Sequence, residues 1–243
     1  MEVFLSLWNW LANMSPVLPS LVLLRIAYPL AWGIVAAWAV AECTKKFRRP
    51  VRLALVALTL VAAWWPGSWS LPYGLGMAFQ LPSWTALLLC LMGLYRNLWA
   101  GELSGPMVAA ISADPDAAAQ RPAGPDWFVY AGLLLGLVLL LDTFILLPFA
   151  LYRWGFSLFA LVLVLLVVVG VWAMSNPGSK ARDRSGLLLL VLALYIVTRL
   201  PSGNVFDALI DPWLWLVVFG NRVRWGAQNL KALLRRPPQS TPG

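Results

Sequence analysis

WFVYAGLLLGLVLLLDTFILLPFALYR, residues 127–153, is the stretch that decides the fold. It carries one acidic residue, Asp142, inside an otherwise apolar run. An α-helix rises about 1.5 Å per residue, so residues 127–149 are long enough to cross a hydrocarbon core of about 30 Å. A carboxylate in that setting costs free energy unless it is paired, protonated or hydrated. The stretch therefore predicts a transmembrane helix that contains a polar site.

The composition of the whole chain favours the same class of fold. Of the 243 residues, 61% are hydrophobic and only 12% are charged, whereas a soluble domain averages about 25% charged residues. The apolar residues come in long runs, which is typical of membrane spans. We therefore predict an all-α integral membrane protein, a bundle of about seven transmembrane helices.

The charge and turn pattern divides the chain into three parts. We expect an interfacial N-terminal segment over residues 1–14, a polytopic transmembrane domain over 15–225 with a flexible cytoplasmic loop at 100–126, and a basic cytoplasmic tail over 226–243. The predicted spans cover approximately residues 19–41, 53–69, 81–99, 127–149, 155–174 and 187–200, with a seventh inside 206–225. The apolar run of the seventh is short. A re-entrant or surface segment is the alternative.

The basic residues predict the orientation. The sequence TKKFRRPVR at residues 44–52 lies directly after the first span, where the positive-inside rule places a cytoplasmic loop. Arg25 and Arg199 lie within predicted spans and Arg153 in an outer turn, while the other Lys and Arg residues lie in inner loops or in the tail. This distribution predicts an outer N-terminus and a cytoplasmic C-terminus. The composition suits the inner membrane of a bacterium.

Two intramembrane charges form the main candidate site. Counted from the predicted outer ends of their spans, Arg25 and Asp142 lie at similar depths, roughly 9 and 10 Å. An ion pair would offset the cost of burying each charge, and Arg199 is the alternative partner for Asp142. The functional interpretation is an ion or proton pathway or a site for a charged group. The structural interpretation is a pair that fixes helix register, or an arginine that reaches the outer headgroups.

A second motif predicts close helix packing. Gly132 and Gly136 form a GxxxG motif on the predicted fourth span, and small residues at this spacing allow another helix to approach. Most of the 15 Trp residues flank predicted span ends, as interfacial anchors do.

Several function classes are disfavoured. The chain has no His, which removes His-based metal sites, bis-His haem ligation and Ser-His or Cys-His catalysis. None of the common motifs for zinc proteases, serine hydrolases, nucleotide binding or dinucleotide binding is present. Cys43 and Cys90 fall at different predicted depths, so we expect no disulfide. We expect no metal, no cofactor and no nucleic-acid partner.

The remaining hypotheses concern membrane roles. The first is a non-catalytic inner-membrane subunit of a larger bacterial assembly of the export, secretion or conjugal-transfer type, with other membrane proteins as partners. The alternative is a small transporter or channel with a path past Asp142 and Arg25. In either case the bilayer surrounds the spans, and the basic tail is expected to bind anionic lipid.

Overall fold

The computed structural model describes residues 18–67, 70–99, 127–148 and 150–234, and the regular structure in these ranges is entirely helical. The prediction of an all-α fold is confirmed for this part of the chain. The predicted N-terminal segment 1–14, the loop 100–126 and the end of the tail lie outside the described residues. The helices are α1 Leu21–Cys43, α2 Arg49–Ala62, α3 Leu71–Phe79, α4 Trp84–Trp99, α5 Trp127–Thr143, α6 Leu151–Trp154, α7 Leu158–Met174, α8 Lys180–Thr198, α9 Val205–Leu209 and α10 Pro212–Leu234.

Serine side chains begin five of these helices. In each case the hydroxyl oxygen accepts a hydrogen bond from the backbone N–H three residues later, which satisfies a donor that the first turn leaves without a partner. The five capping residues are Ser20, Ser70, Ser83, Ser157 and Ser179. Local sequence therefore sets the helix starts.

Two groups of helices form the buried part of the protein. Helix α1 packs against α2, α3 and α4, and α8 packs against α7, α9 and α4. The side chains of Val191, Leu192 and Tyr195 on α8 and of Val205 on α9 are almost completely buried in the largest apolar cluster. Helix α5 has its main contacts with α6 and α10. The α5–α10 pair therefore lies beside the core, and the space around it becomes the candidate site.

One helix of the described chain, α1, is long and apolar enough to cross a membrane. Two shorter apolar helices are Val129–Thr143 and Leu158–Met174. Core helices of soluble proteins and signal sequences share the properties of α1, so this helix indicates membrane association only weakly. The described helices do not establish the predicted seven-span bundle.

Four predicted boundaries differ from the structure by more than five residues, and one of them is the start of α8, which lies at Lys180 instead of residue 187. Helix α2 ends at Ala62 instead of residue 69, since Pro66 and then Gly67, with a φ of +106°, follow it. Helix α5 ends at Thr143 instead of residue 149, and Ile145 adopts a left-handed φ of 57°. In both places the apolar run continues through a turn. Helix α10 continues to Leu234, well past the predicted start of the tail.

The two glycines of the predicted packing motif have different environments. The indole ring of Trp215 on α10 occupies the space that a Cβ at Gly136 would need, while nothing lies within 4 Å of a Cβ built at Gly132. The same indole N–H donates to the carbonyl oxygen of Leu133 at 3.0 Å. Gly136 therefore seats Trp215 between α5 and α10, and Gly132 does not take part in this contact.

A matched pair of substitutions on α5 tests this packing. We expect Gly136→Ala to lower the free energy of unfolding by about 1–3 kcal/mol, because the added methyl group must displace the indole ring. We expect Gly132→Ala to be neutral or to stabilise by up to about 1 kcal/mol through helix propensity. Thermal unfolding in detergent measures both variants, and equal effects would contradict the one-sided contact.

Candidate functional site: a carboxylate-lined cavity

A cavity of about 820 Å³ lies where the ends of α3 and α5 and the short helices α6 and α9 meet the start of α10. We call it the polar cavity. Its charged lining residues are three carboxylates and one guanidinium, those of Asp142, Asp207, Asp211 and Arg153. Ligand sites commonly measure about 300–1,000 Å³, so the polar cavity is large enough for a small molecule.

Asp142 lies in the last turn of α5, where the helix unwinds. One oxygen of its carboxylate accepts a hydrogen bond of 2.6 Å from the backbone N–H of Tyr152, near the start of α6. A backbone N–H at the start of a helix has no partner within that helix. Asp142 therefore ties the end of α5 to the beginning of α6.

Asp207 is on α9, and its side chain lines the polar cavity. One of its carboxylate oxygens accepts a hydrogen bond of 2.6 Å from the Tyr152 hydroxyl and a second bond from the Ser202 hydroxyl. Burial raises the pKa of the Tyr152 phenol, and the adjacent Asp207 carboxylate raises it further. The Tyr152 hydroxyl therefore remains protonated at neutral pH and remains a donor.

Asn204 joins the same two segments from the buried side. Its amide group donates to the carbonyl oxygen of Tyr152 at 2.9 Å, and its side-chain oxygen accepts from the N–H of Phe206 at 2.9 Å. The Asn204 side chain occupies the space where a Cβ of Gly155 would lie. Only glycine at position 155 allows this approach.

Asp211 is the most buried carboxylate of the lining, with 7% of its surface exposed. One oxygen accepts from the N–H groups of Trp213 and Leu214 at 3.0 and 3.2 Å, which caps α10. The other oxygen accepts from the N–H of Ser83 at 3.1 Å, just before α4 begins. The positive ends of two helix dipoles therefore face one carboxylate.

Aromatic rings form another part of the wall of the polar cavity. The ring centroids of Phe79 and Trp213 are 5.0 Å apart in an edge-to-face arrangement, and those of Trp32 and Phe79 are 6.4 Å apart. The Trp32 indole N–H donates to the carbonyl oxygen of Gln80 at 2.9 Å. The polar cavity thus combines negative charge with exposed aromatic faces.

The ion pair predicted for Asp142 is not among the contacts of the described residues. Arg25 lies exposed in the second turn of α1. Arg199 adopts a left-handed φ of 57° after α8, and its guanidinium lies 5.4 Å from the ring centroid of Tyr195. Asp142 does not lie inside a continuous helix, because α5 ends one residue later, and its partner is the backbone N–H of Tyr152 on α6.

Asp207 and Asp211 are not among the site residues predicted from the sequence. A local signal for Asp211 was present, since an aspartate directly before a proline at the first helical position is a typical helix start. No comparable signal predicts that this carboxylate also binds the N–H of Ser83, because the two residues are 128 positions apart.

The chemistry of the lining suits the binding of a cation. Within the described ranges, no group of three His, Cys, Asp or Glu residues is placed to hold a metal ion. The hydrogen-bond donors to the three carboxylates are neutral, so they do not cancel the formal negative charge. A positively charged molecule would face that charge together with the aromatic wall.

Substitutions of Asp142 distinguish the observed contact from the predicted ion pair. We expect Asp142→Ala to destabilise by about 1–3 kcal/mol, because the buried Tyr152 N–H loses its acceptor. Asp142→Asn should cost clearly less, since its amide oxygen can still accept. Arg25→Ala should change stability by less than about 0.5 kcal/mol. Thermal unfolding measures the three variants and the Arg25–Asp142 double variant. Strongly non-additive stability changes at Arg25 and Asp142 would support the predicted ion pair and contradict the observed contact as the main one.

Comparison of the chain with models of protein families, with curated proteins and with solved structures finds no match.

Proposed function

We propose that the chain is a multi-pass inner-membrane protein with about seven crossing helices, an outer N-terminus and a cytoplasmic C-terminus. Support comes from α1 and from large apolar side chains exposed on α5, α7 and α10. Examples are Leu134, Leu166, Val167, Leu216 and Val217, each at least half exposed. Helices of 14 to 19 residues such as α2, α7 and α8 cross a bilayer if it thins locally or if flanking residues extend into the interface.

The cation–π contacts agree with this orientation. The guanidinium of Arg222 on α10 lies 5.4 Å from the ring of Tyr130, near the beginning of α5. The guanidinium of Arg182 lies 4.5 Å from the ring of Trp172, near the end of α7. In both pairs the aromatic ring lies near a helix end that the proposal places at the cytoplasmic headgroups, where arginine and aromatic residues are favourable.

Reporter fusions test the topology. Alkaline phosphatase fused after residue 203 should be active, and the same enzyme fused after residue 178 should be inactive, since it folds only outside the cytoplasm. Green fluorescent protein at the C-terminus should fluoresce, because it matures in the cytoplasm. The opposite pattern at either fusion site would contradict the proposed crossing of α8 or of α10.

We propose further that the protein is a small transporter whose solute site is the polar cavity. The observation that carries this proposal is the grouping of three carboxylates around one cavity in an otherwise apolar helical chain. A charge in a membrane domain costs free energy and is commonly retained at a solute pathway. Compared with the path expected from the sequence, the proposed site keeps Asp142, replaces Arg25 with Asp207 and Asp211, and binds positively charged solutes.

The role of a non-catalytic subunit in a larger assembly stays a prediction. No contact of the described residues favours it over transport. Stoichiometric co-purification of other membrane proteins with the tagged chain, together with electrical silence of the chain alone, would support it.

Currents in reconstituted vesicles test transport. The purified chain on a solid-supported membrane receives steps of Na⁺, K⁺, ammonium, choline and tetraethylammonium. We expect at least one cation to produce a current, and Asp207→Asn to reduce it at least tenfold. The asparagine keeps an acceptor for Tyr152 and Ser202 but removes the charge.

Asp183→Asn is the matched control. Asp183 is exposed in the first turn of α8, at the opposite end of that helix from the polar cavity. Its loss should leave the current unchanged. Absence of current for every cation, or equal currents in the wild type and in Asp207→Asn, would overturn the transport proposal.

A further inference from the structure

A second cavity of about 240 Å³ lies beside the polar cavity, between α5, α8 and α10. We call it the apolar crevice. Leucine, valine and tryptophan side chains dominate its lining, with Arg184 and Asp211 as its charged residues. The lining includes Val129, Leu133, Leu188, Leu214, Trp215 and Val218.

The apolar crevice and the polar cavity share wall residues. Ile210 and Asp211 line both, so the two spaces adjoin at the start of α10. From Arg184 to Thr198, α8 rises by roughly 21 Å. At the far end of α8, the Thr198 hydroxyl accepts a hydrogen bond of 3.3 Å from the indole N–H of Trp84, at the start of α4. The end of the crevice that is remote from Arg184 therefore lies near Ser83 and Asp211. The crevice therefore extends along the helices, away from the polar cavity.

We propose that the two spaces together bind a cationic amphiphile, with its charged head group in the polar cavity and its alkyl chain in the apolar crevice. This inference rests on the proposed solute site and names the class of molecule that it takes. The carboxylates alone would suit any cation. The adjoining apolar space and the aromatic wall indicate an amphiphile, because a small hydrated ion needs neither.

The charge and the aromatic rings of the polar cavity favour a cationic head group there. Three carboxylates outnumber the single guanidinium of Arg153 in the lining. The rings of Phe79 and Trp213 are exposed and line the polar cavity, and an ammonium or trimethylammonium group is attracted to such rings within about 6 Å. Both features favour an organic cation.

Open space in the apolar crevice favours an alkyl chain there. Nothing lies within 4 Å of a Cβ at Gly132, so α5 presents bare backbone to the apolar crevice. An anionic lipid with its head group at Arg184 is the competing occupant. Arg184 already interacts with another group of the chain, and the larger, more polar space lies at the Asp211 end. The cationic amphiphile is therefore favoured.

Photo-crosslinking in lipid nanodiscs tests the inference. The probe is dodecyltrimethylammonium with a diazirine near the end of its chain, and peptide mass spectrometry maps the adducts. We expect adducts on Leu133, Leu188 or Val218, suppressed at least fivefold by excess unlabelled dodecyltrimethylammonium but not by tetramethylammonium. The combined Asp207→Asn and Asp211→Asn substitution should reduce labelling at least tenfold, since asparagine retains helix capping but carries no charge.

A matched pair of glycine substitutions controls for folding. Gly132→Leu fills the apolar crevice and should abolish these adducts. Gly170→Leu, on α7 and also with nothing within 4 Å of its Cβ, should leave them unchanged. Adducts spread over exposed α7 residues without competition, or equal labelling by the dodecyl sulfate analogue, would overturn the inference.

The outcomes separate this inference from the transport proposal. Competed adducts in the apolar crevice without any cation current would end the transport proposal and leave the amphiphile site in place. A current carried by choline or tetraethylammonium, with no competed adduct in the crevice, would support transport and overturn the amphiphile inference.

Discussion

The arrangement of the candidate site depends on the carboxylate of Asp211. A charge that is 7% exposed is costly to bury without partners, and here three backbone N–H groups from the starts of two helices supply them. These N–H groups would themselves lack partners. The three bonds hold the start of α10 against that of α4. Because Asp211 lines both the polar cavity and the apolar crevice, this contact fixes the place where the two spaces adjoin.

A second polar cluster solves a related problem on the other side of the polar cavity. Between α5 and α7, and again between α8 and α10, the chain leaves regular helix geometry and exposes backbone groups. Asp142, Tyr152, Asn204 and Asp207 bind these groups and one another. Where such groups are buried from water, side chains must satisfy them. Polarity at this end is therefore a consequence of the irregular backbone.

The sequence predicts a feature when the residues that form it are close together in the chain. Apolar runs and serine caps are local, so the helical class and most helix starts follow from them. The end of α5 was misplaced because the apolar run continues past Thr143 through a turn. The partner of Asp142 was missed for the same reason, since the depth comparison needed an unbroken helix. The Asp211–Ser83 bond joins distant segments, and no local pattern encodes it.

Structural use of these carboxylates does not remove their capacity to bind a cation. Each carboxylate has about four acceptor positions, and the described contacts use only one to three of them in each case. The N–H and O–H donors are neutral, so they orient the charge without cancelling it. In a medium of low dielectric constant, the field of three such groups acts over longer distances than it does in water. The same bonds that hold α4, α6 and α10 in place therefore keep the negative charge at the polar cavity, where the proposed cationic head group would lower its cost.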